Sequence, residues 1–329
     1  MKKLIIVLLV AAVLLPLFAE GSKESASGEF TPSKDISWIV TSKPGGGSDI
    51  YTRTISGLMT EMGLVNGKNF IIENKTDGGG EVGRYYVQTV KGDNANHQLL
   101  TFNSGDLEPM IQNTDNRLAG YKPICVMAAD KHLIFTTKQS KYQNFNEVID
   151  AIKRGERVVI AGSRGDDESV LYAVMAEIGA TEDLFAYINE DSSAVAITDL
   201  LGGHVDVAIS KPAAAAQYVQ AGEIQPILAM STERYTVDYL KDAPTLSELG
   251  PYKDVEIPIW RGAVGPAAMS DAAVEFWSGV FKAVFDSEAF QTGYIQKNGL
   301  VPMYKDYKEA AAFMAEAEQT YLKKYNKSK

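Results

Sequence analysis

Two short glycine-rich segments carry the residue types best suited to holding an anion. The first is Pro44-Gly45-Gly46-Gly47-Ser48-Asp49. Consecutive glycines let a backbone take positive φ and approach a bound group with no Cβ in the way. Their N–H groups, with the first turn of a following helix, form a concave set of donors. Ser48 can cap that helix or donate to a ligand. Asp49 favours the helix N-terminus electrostatically and can also hold the loop by accepting N–H bonds. An ordinary tight turn is the competing account. A phosphate-binding P-loop is excluded, since no Gly-Lys-Ser/Thr follows at the required spacing. The second segment runs from Asn74 to Gly83 and repeats the design with Gly78, Gly79 and Gly80. Lys75 beside it reads as a solvated surface charge.

Other candidates follow later strands. Asn103, Ser104 and Asp106 can line a cleft, and Ser192, Ser193 and Ala194 can offer backbone donors at a helix start. Ser163 and Arg164 sit in Gly162-Ser163-Arg164-Gly165, where the guanidinium could clamp a carboxylate bidentately. Asp166, Asp167 and Glu168 come next. They suit the N-terminus of a helix; facing a cleft, they would repel a second carboxylate and welcome an ammonium or amide. Lys211 is either a surface lysine or a ligand contact.

Alternating strands and helices must position these residues. Ile36–Val40 reads as a strand, and the helix after the first glycine segment places Ile55, Leu58, Met59 and Met62 on one face. Phe70–Glu73 and Gln98–Phe102 read as the next strands, with a helix from about Val82 to Val90 between them. That order implies a mostly parallel sheet covered by helices. It restarts with strands at Arg157–Ala161, Val205–Ile209 and Gln225–Met230 and helices through Gly179, over Ala194–Leu201 and over Pro212–Ala221. The stretch from Asp271 to about Tyr325 reads as helical. The expected fold class is α/β, with two Rossmann-like lobes on a double-crossing hinge. Residues 35–130 and 253–329 form the first lobe and 131–252 the second. Ligands in such folds sit where strand carboxyl ends meet helix starts.

Bulk features narrow the function. Lys2 and Lys3 precede an apolar run, Leu4–Leu15, that is too short to span a bilayer and fits a signal peptide cleaved near Ala19. No Cys follows for lipid attachment, so residues 1–19 read as a leader, 20–34 as a flexible tether, and the protein as periplasmic. Roughly 295 residues remain, enough for two cores. The only cysteine, Cys125, excludes an intrachain disulfide and reads as a buried hydrophobe. The net charge of −10 argues against nucleic acid; a local cluster of backbone donors can still bind an anion. His97, His132 and His204 show no metal-site spacing, and no Gly-x-Ser-x-Gly nucleophile motif is present. No enzyme, metal or cofactor is expected.

Several motifs then share one pattern. Val40 to Arg53, with Pro-Gly-Gly-Gly-Ser-Asp followed four residues later by Arg, resembles the first loop of the solute-binding proteins of tripartite tricarboxylate transporters. Glu73 through Gly83 is similar to that family's second loop. Thr198-Asp199-Leu200-Leu201-Gly202-Gly203-His204-Val205-Asp206 is similar to its most recognisable later motif. Ala221–Ile224, Ala229–Arg234, Ala243–Gly250, Trp260-Arg261-Gly262 and Gly265-Pro266-Ala267 continue in register. The resemblance covers nearly the whole chain after the leader. It implies a monomeric periplasmic binding fold that is no enzyme. One ligand carboxylate is held by the two glycine loops, often through water, and the second lobe closes over the rest. Ligand classes in the family include tricarboxylates, dicarboxylates, acidic amino acids and aromatic acids, passed to membrane transporter subunits. Presentation to a membrane receptor, or binding of an amide or cationic solute, is the alternative. The chain departs from the pattern at Thr76, Asp77 and Glu81, at Asp166-Asp167-Glu168 and at Leu171, which replaces a frequent His.

Overall fold

A computed structural model describes residues 30–164 and 166–327. The leader and residues 20–29 of the expected tether lie outside them. Residues 30–34, also read as tether, instead pack on the first lobe. Phe30 meets Phe276 edge-on at 5.3 Å, and the Ser33 amide donates to His97 Nε2 at 3.1 Å.

Two sheets form the two lobes. In the first, β1 (Ile36–Val40) pairs in parallel with β2 (Phe70–Asn74) and β3 (Gln98–Asn103). The order is completed by β10 (Ile259–Pro266), β4 (Tyr121–Asp130) and β11 (Val301–Lys305), each antiparallel to its neighbour. In the second, β6 (Val158–Ser163) pairs in parallel with β7 (Phe185–Glu190) and β8 (Val207–Ser210), while β5 (His132–Thr136) runs antiparallel to β8 and to β9 (Gln225–Met230). The sheets are therefore mixed, where the sequence suggested mostly parallel ones. The reason is the double crossing. Strand β4 leaves the first sheet at Asp130 and β5 begins the second at His132; β10 brings the chain back. A strand entering a lobe from the cleft must run against strands that end there.

Helices follow the parallel strands. In the first lobe these are α1 (Gly47–Glu61), α2 (Glu81–Thr89) and α3 (Ser104–Asn113). In the second, α4 (Phe145–Lys153) precedes β6, and α5 (Asp166–Glu177), α6 (Ser193–Leu201) and α7 (Pro212–Gln220) follow. The expected C-terminal helical stretch is broken. Helices α8 (Asp271–Asp286) and α9 (Glu288–Phe290) lead through a π turn to Gly299, whose φ of +62° ends the run. Val301 and Pro302 then form β11, since proline supplies no N–H to a helix, and α10 (Tyr307–Lys324) closes the first lobe.

Each sheet is covered on both faces. Trp38, Tyr51, Ile55, Met59, Trp277 and Phe281 fill one side of the first sheet, and Leu100, Phe102, Leu107, Met110 and Met314 the other. Met62 falls just past the end of α1 and is exposed, unlike Ile55 and Met59. Phe145, Ile160, Val170 and Val174 build one core of the second lobe, and Ile197, Leu200, Ala215 and Leu240 its other. Each such Leu, Ile or Phe stabilises by about 1.5–3 kcal/mol on burial, so rigid lobes carry the loops between them. Cys125 is buried in the first of these clusters, and Trp260 packs on the opposite face of the sheet against Phe102 and Phe313. Among the described residues no helix is long and apolar enough to cross a membrane.

Candidate functional site

The starts of α1, α2 and α3 face those of α5, α6 and α7 across one polar cavity between the lobes. On the first-lobe side Gly46, Gly47, Ser48, Gly79 and Asn103 line it; on the second, Ser163, Arg164, Asp166, Ser193 and Lys211 do. All ten were singled out in the sequence. Pro44, Gly45, Asp49, Gly78, Gly80, Ser104 and Ala194 belong to the same loops and helix starts but stand outside the lining.

Asp49 shows what those supporting residues do. Its Oδ2 accepts from the Gly45 amide at 3.0 Å, while Arg53 Nε and Asn74 Nδ2 donate to its carboxylate, each at 3.0 Å. Asn74 Nδ2 also donates to the Ser42 carbonyl at 2.8 Å. Burial works to raise the carboxyl, but Arg53, the Gly45 amide and Asn74 outweigh it and hold it below the usual range. With this carboxylate spent on its own loop, the shape of the first glycine segment is fixed. The N-terminus of α1 carries no side-chain cap, so the N–H groups of its first turn stay without intrahelical acceptors.

The second glycine segment is held from behind by Arg84, which lies 2% exposed on α2. Its guanidinium donates to Glu81 at 2.9 Å, to the Gly79 carbonyl at 3.0 Å and to Asp106 Oδ1 at 3.0 Å. Thr41 of the first loop also donates to Asp106. Burial pushes the Asp106 carboxyl up against the pull of Arg84 and Thr41. Gly80 has φ +85°, and a Cβ there would lie 2.7 Å from that of Thr41. One buried ion pair thus welds the two loops together. Asn103 Nδ2 adds a bond to Ser48 Oγ at 3.0 Å, tying α3 to α1.

In the second lobe the acidic run resolves into distinct roles. Asp167 is fully buried and accepts from the Ser163 amide at 2.7 Å, the Ser163 hydroxyl at 2.6 Å, His132 Nε2 at 2.8 Å and the Lys211 ammonium. Burial alone would raise its carboxyl; Lys211 and His132 drive it well below the ordinary range. Lys211 also donates to Ser163 Oγ at 2.9 Å. Asp166 differs. It is 5% exposed, and its Oδ2 has no hydrogen-bond partner among the described residues. Burial, with Asp167 alongside, pushes its carboxyl up despite Lys211. His132, Asp166 and Asp167 bring possible metal-ligand atoms within 4.8 Å of one another, but the Lys211 ammonium already supplies positive charge at that cluster.

Sequence reasoning missed Arg261 as a site residue, although it lies in one of the shared motifs. Arg261 lines the cavity, is buried, and is ion-paired with Asp130 at the crossing. Thr41, Ser42, Gly105, Glu190, Asp191 and Ile259 also line it without having been chosen as ligand contacts. Ser42 Oγ and Ser104 Oγ are buried with no partner among the described residues. A buried polar group left so is costly. Two signals could have found more of the set: the residue after each strand end, and an Arg at a strand that re-enters a lobe.

The lobes meet around the cavity. Lys43 Nζ lies 2.8 Å from Asp191, and Ser169 Oγ donates to Glu108 at 3.1 Å. A Cβ on Gly46 would stand 2.9 Å from that of Ser192, and one on Gly105 would stand 2.6 Å from Asp166 Oδ1.

Three comparisons place this arrangement among known proteins. The family described as tripartite tricarboxylate transporter family receptor matches residues 57–325. A UPF0065 protein from the TAR-I ttuE-ttuC' intergenic region of Agrobacterium vitis is 23% identical over 338 residues, covering 97% of this chain and 90% of its own. The periplasmic binding protein BugD superposes with a TM-score of 0.77 at 20% identity, over 90% of this chain and 98% of its own. MatC from Rhodopseudomonas palustris with bound malate does so with a TM-score of 0.74 at 18% identity, over 89% and 98%. At these identities the solved structures speak for the fold.

Proposed function

Since the chain belongs to the tripartite tricarboxylate transporter receptor family, solute-binding proteins rather than enzymes, we propose that it captures a small carboxylate in the interlobe cavity and delivers it to a membrane transporter of that type. The observation that carries this reading is the uncapped N-terminus of α1, opening onto a cavity that it shares with buried Arg261. A helix N-terminus carries about half a positive charge, and the guanidinium of Arg261 stands beside it, its charge shared with Asp130. The free N–H groups of Gly47 and Ser48, together with the buried Ser42 hydroxyl, supply neutral donors for one carboxylate. Malate, bound in the MatC structure, is the kind of ligand such a site fits.

Delivery follows from closure. The second lobe contributes Ser163, Ser193 and Lys211 to the cavity, so a ligand held by both lobes favours the closed form over the open one. In this reading the apolar run Leu4–Leu15 acts as a leader that exports the protein to where a transporter can receive it.

The test is thermal unfolding of protein stripped of carried-over ligand by unfolding and refolding. Succinate, malate, glutarate, β-alanine and γ-aminobutyrate would each be compared with the amides that lack every carboxylate. A ligand at about 100 times its Kd adds about 2.7 kcal/mol and raises the midpoint by at least about 4 °C. Stabilisation by at least one acid and not by its amide supports the reading. Equal shifts with acid and amide, or none with any acid, contradict it.

A further inference from the structure

We propose, building on the carboxylate-binding reading above, that Asp166 receives a protonated amine at the far end of the ligand, so that the preferred class is an amino-carboxylate rather than a dicarboxylate. Asp166 sits at the start of α5, lines the same cavity as the α1 N-terminus and is more than nine-tenths buried, with Oδ2 unpartnered among the described residues. Its other oxygen rests against Gly105 of the first lobe, where a Cβ would stand 2.6 Å from it. The carboxylate is thus fixed at the seam between the lobes, where a ligand meets it on closure.

The cations near it are already engaged. Lys211 bonds Asp167 and Ser163 and lies 3.5 Å from Asp166 Oδ2, within ion-pair range but without a hydrogen bond to it. His132 Nε2 donates to Asp167 and lies 3.9 Å from Asp166. Arg261 is paired with Asp130, and Arg164 lies 3.5 Å from Asp191. Asp166 and Asp167 therefore share one ammonium, and Asp167 holds it. A second ligand carboxylate entering here would meet Asp166 and Glu190, while every cation nearby already has a carboxylate partner; an alkylammonium would give the Asp166 carboxylate the hydrogen bond that Oδ2 lacks. A hydrogen bond between such charged partners is about twice as strong as a neutral one, which favours the amine over an amide.

Matched pairs test this by calorimetric titration of stripped protein: succinate against β-alanine, and glutarate against γ-aminobutyrate. The expected result is at least a ten-fold preference for an amino acid over its diacid in the wild type, falling to parity or reversing in Asp166→Asn. A loss of affinity shared equally by both ligand classes in Asp166→Asn would show a merely structural role and overturn the inference. A wild type that prefers the diacid overturns it too, whether or not the variant folds, while leaving the carboxylate site in place. Binding of neither class would remove the carboxylate reading and this inference together. A preference for β-alaninamide over β-alanine would show that the amine end alone is recognised and would likewise sink both.

Discussion

Gly47 lies directly against the guanidinium of Arg261, so that any Cβ at position 47 would overlap Nη2. The first residue of α1 and a strand-borne cation from the returning crossing are thereby brought to one edge of the cavity. The ion-pair partner of Arg261 among the described residues is Asp130, at the outgoing crossing.

Gly47→Ala should move that guanidinium. Overpacking of this kind costs about 1–3 kcal/mol, and the displaced charge loses its place beside the helix end. The expected outcome is a lower unfolding midpoint together with at least ten-fold weaker binding. Unchanged affinity by calorimetry would separate Arg261 from the anion site.

Arg84→Ala should be among the most destabilising single changes in the first lobe. It leaves Asp106 buried without its charged partner, which costs about 3–5 kcal/mol. Urea unfolding measures this, and a loss below about 1 kcal/mol would show that the two loops do not depend on the pair.

Asp49 should make acid sensitivity measurable. Its folded carboxyl lies below the ordinary value of 3.8, so the ionised form is the one that stabilises. That contribution is complete above the unfolded value and disappears as the pH falls through the lower folded one. Asp49→Asn should be less stable at neutral pH and lose less on acidification than the wild type. Parallel stability curves from pH 6 to pH 3 would contradict the assignment.

Glu108 should bias closure. It accepts from Ser169 of the second lobe, and from Lys324 at 2.6 Å and Tyr325 at 2.8 Å in the first. Glu108→Ala removes a charged acceptor across the seam, and with Lys324 half exposed the loss is about 1 kcal/mol. Ligand affinity should fall several-fold, and small-angle scattering should show a larger radius of gyration for the liganded protein. Wild-type values for both would remove Glu108 from the closing contacts.

How much of this was legible follows a physical divide. Local rules found the glycine loops and helix starts, because end-of-strand turns are written in the glycine runs themselves, with positive φ at Gly45 and at Gly78–Gly80. Tertiary partners were not legible in that way. Nothing local marks Arg84 as an anchor of the loops; that role arises only where Asp106 and the Gly79 carbonyl are brought around it. Arg261 belonged to a shared motif, yet its role depends on Asp130, 131 residues away. The acidic run read as a unit, either a helix-start signal or a set of acids facing the cleft. In space Asp167 is buried under Lys211 and His132, while Asp166 lines the cavity, a separation that only the fold imposes. The helical pattern after Asp271 concealed β11 because a short strand carries too few residues to break a long periodic signal.

The most direct measurement is calorimetric titration of ligand-stripped wild type and Gly46→Val with the same carboxylates. At position 46 a Cβ would stand 2.9 Å from that of Ser192, on the line where the lobes meet. A branched side chain there obstructs both the loop and closure while leaving both cores untouched. The account predicts one-site binding of at least one carboxylate to the wild type and a loss of about 100-fold or more in Gly46→Val, with the circular dichroism spectrum unchanged. Wild-type affinity in Gly46→Val, or no carboxylate bound by either protein, would contradict it.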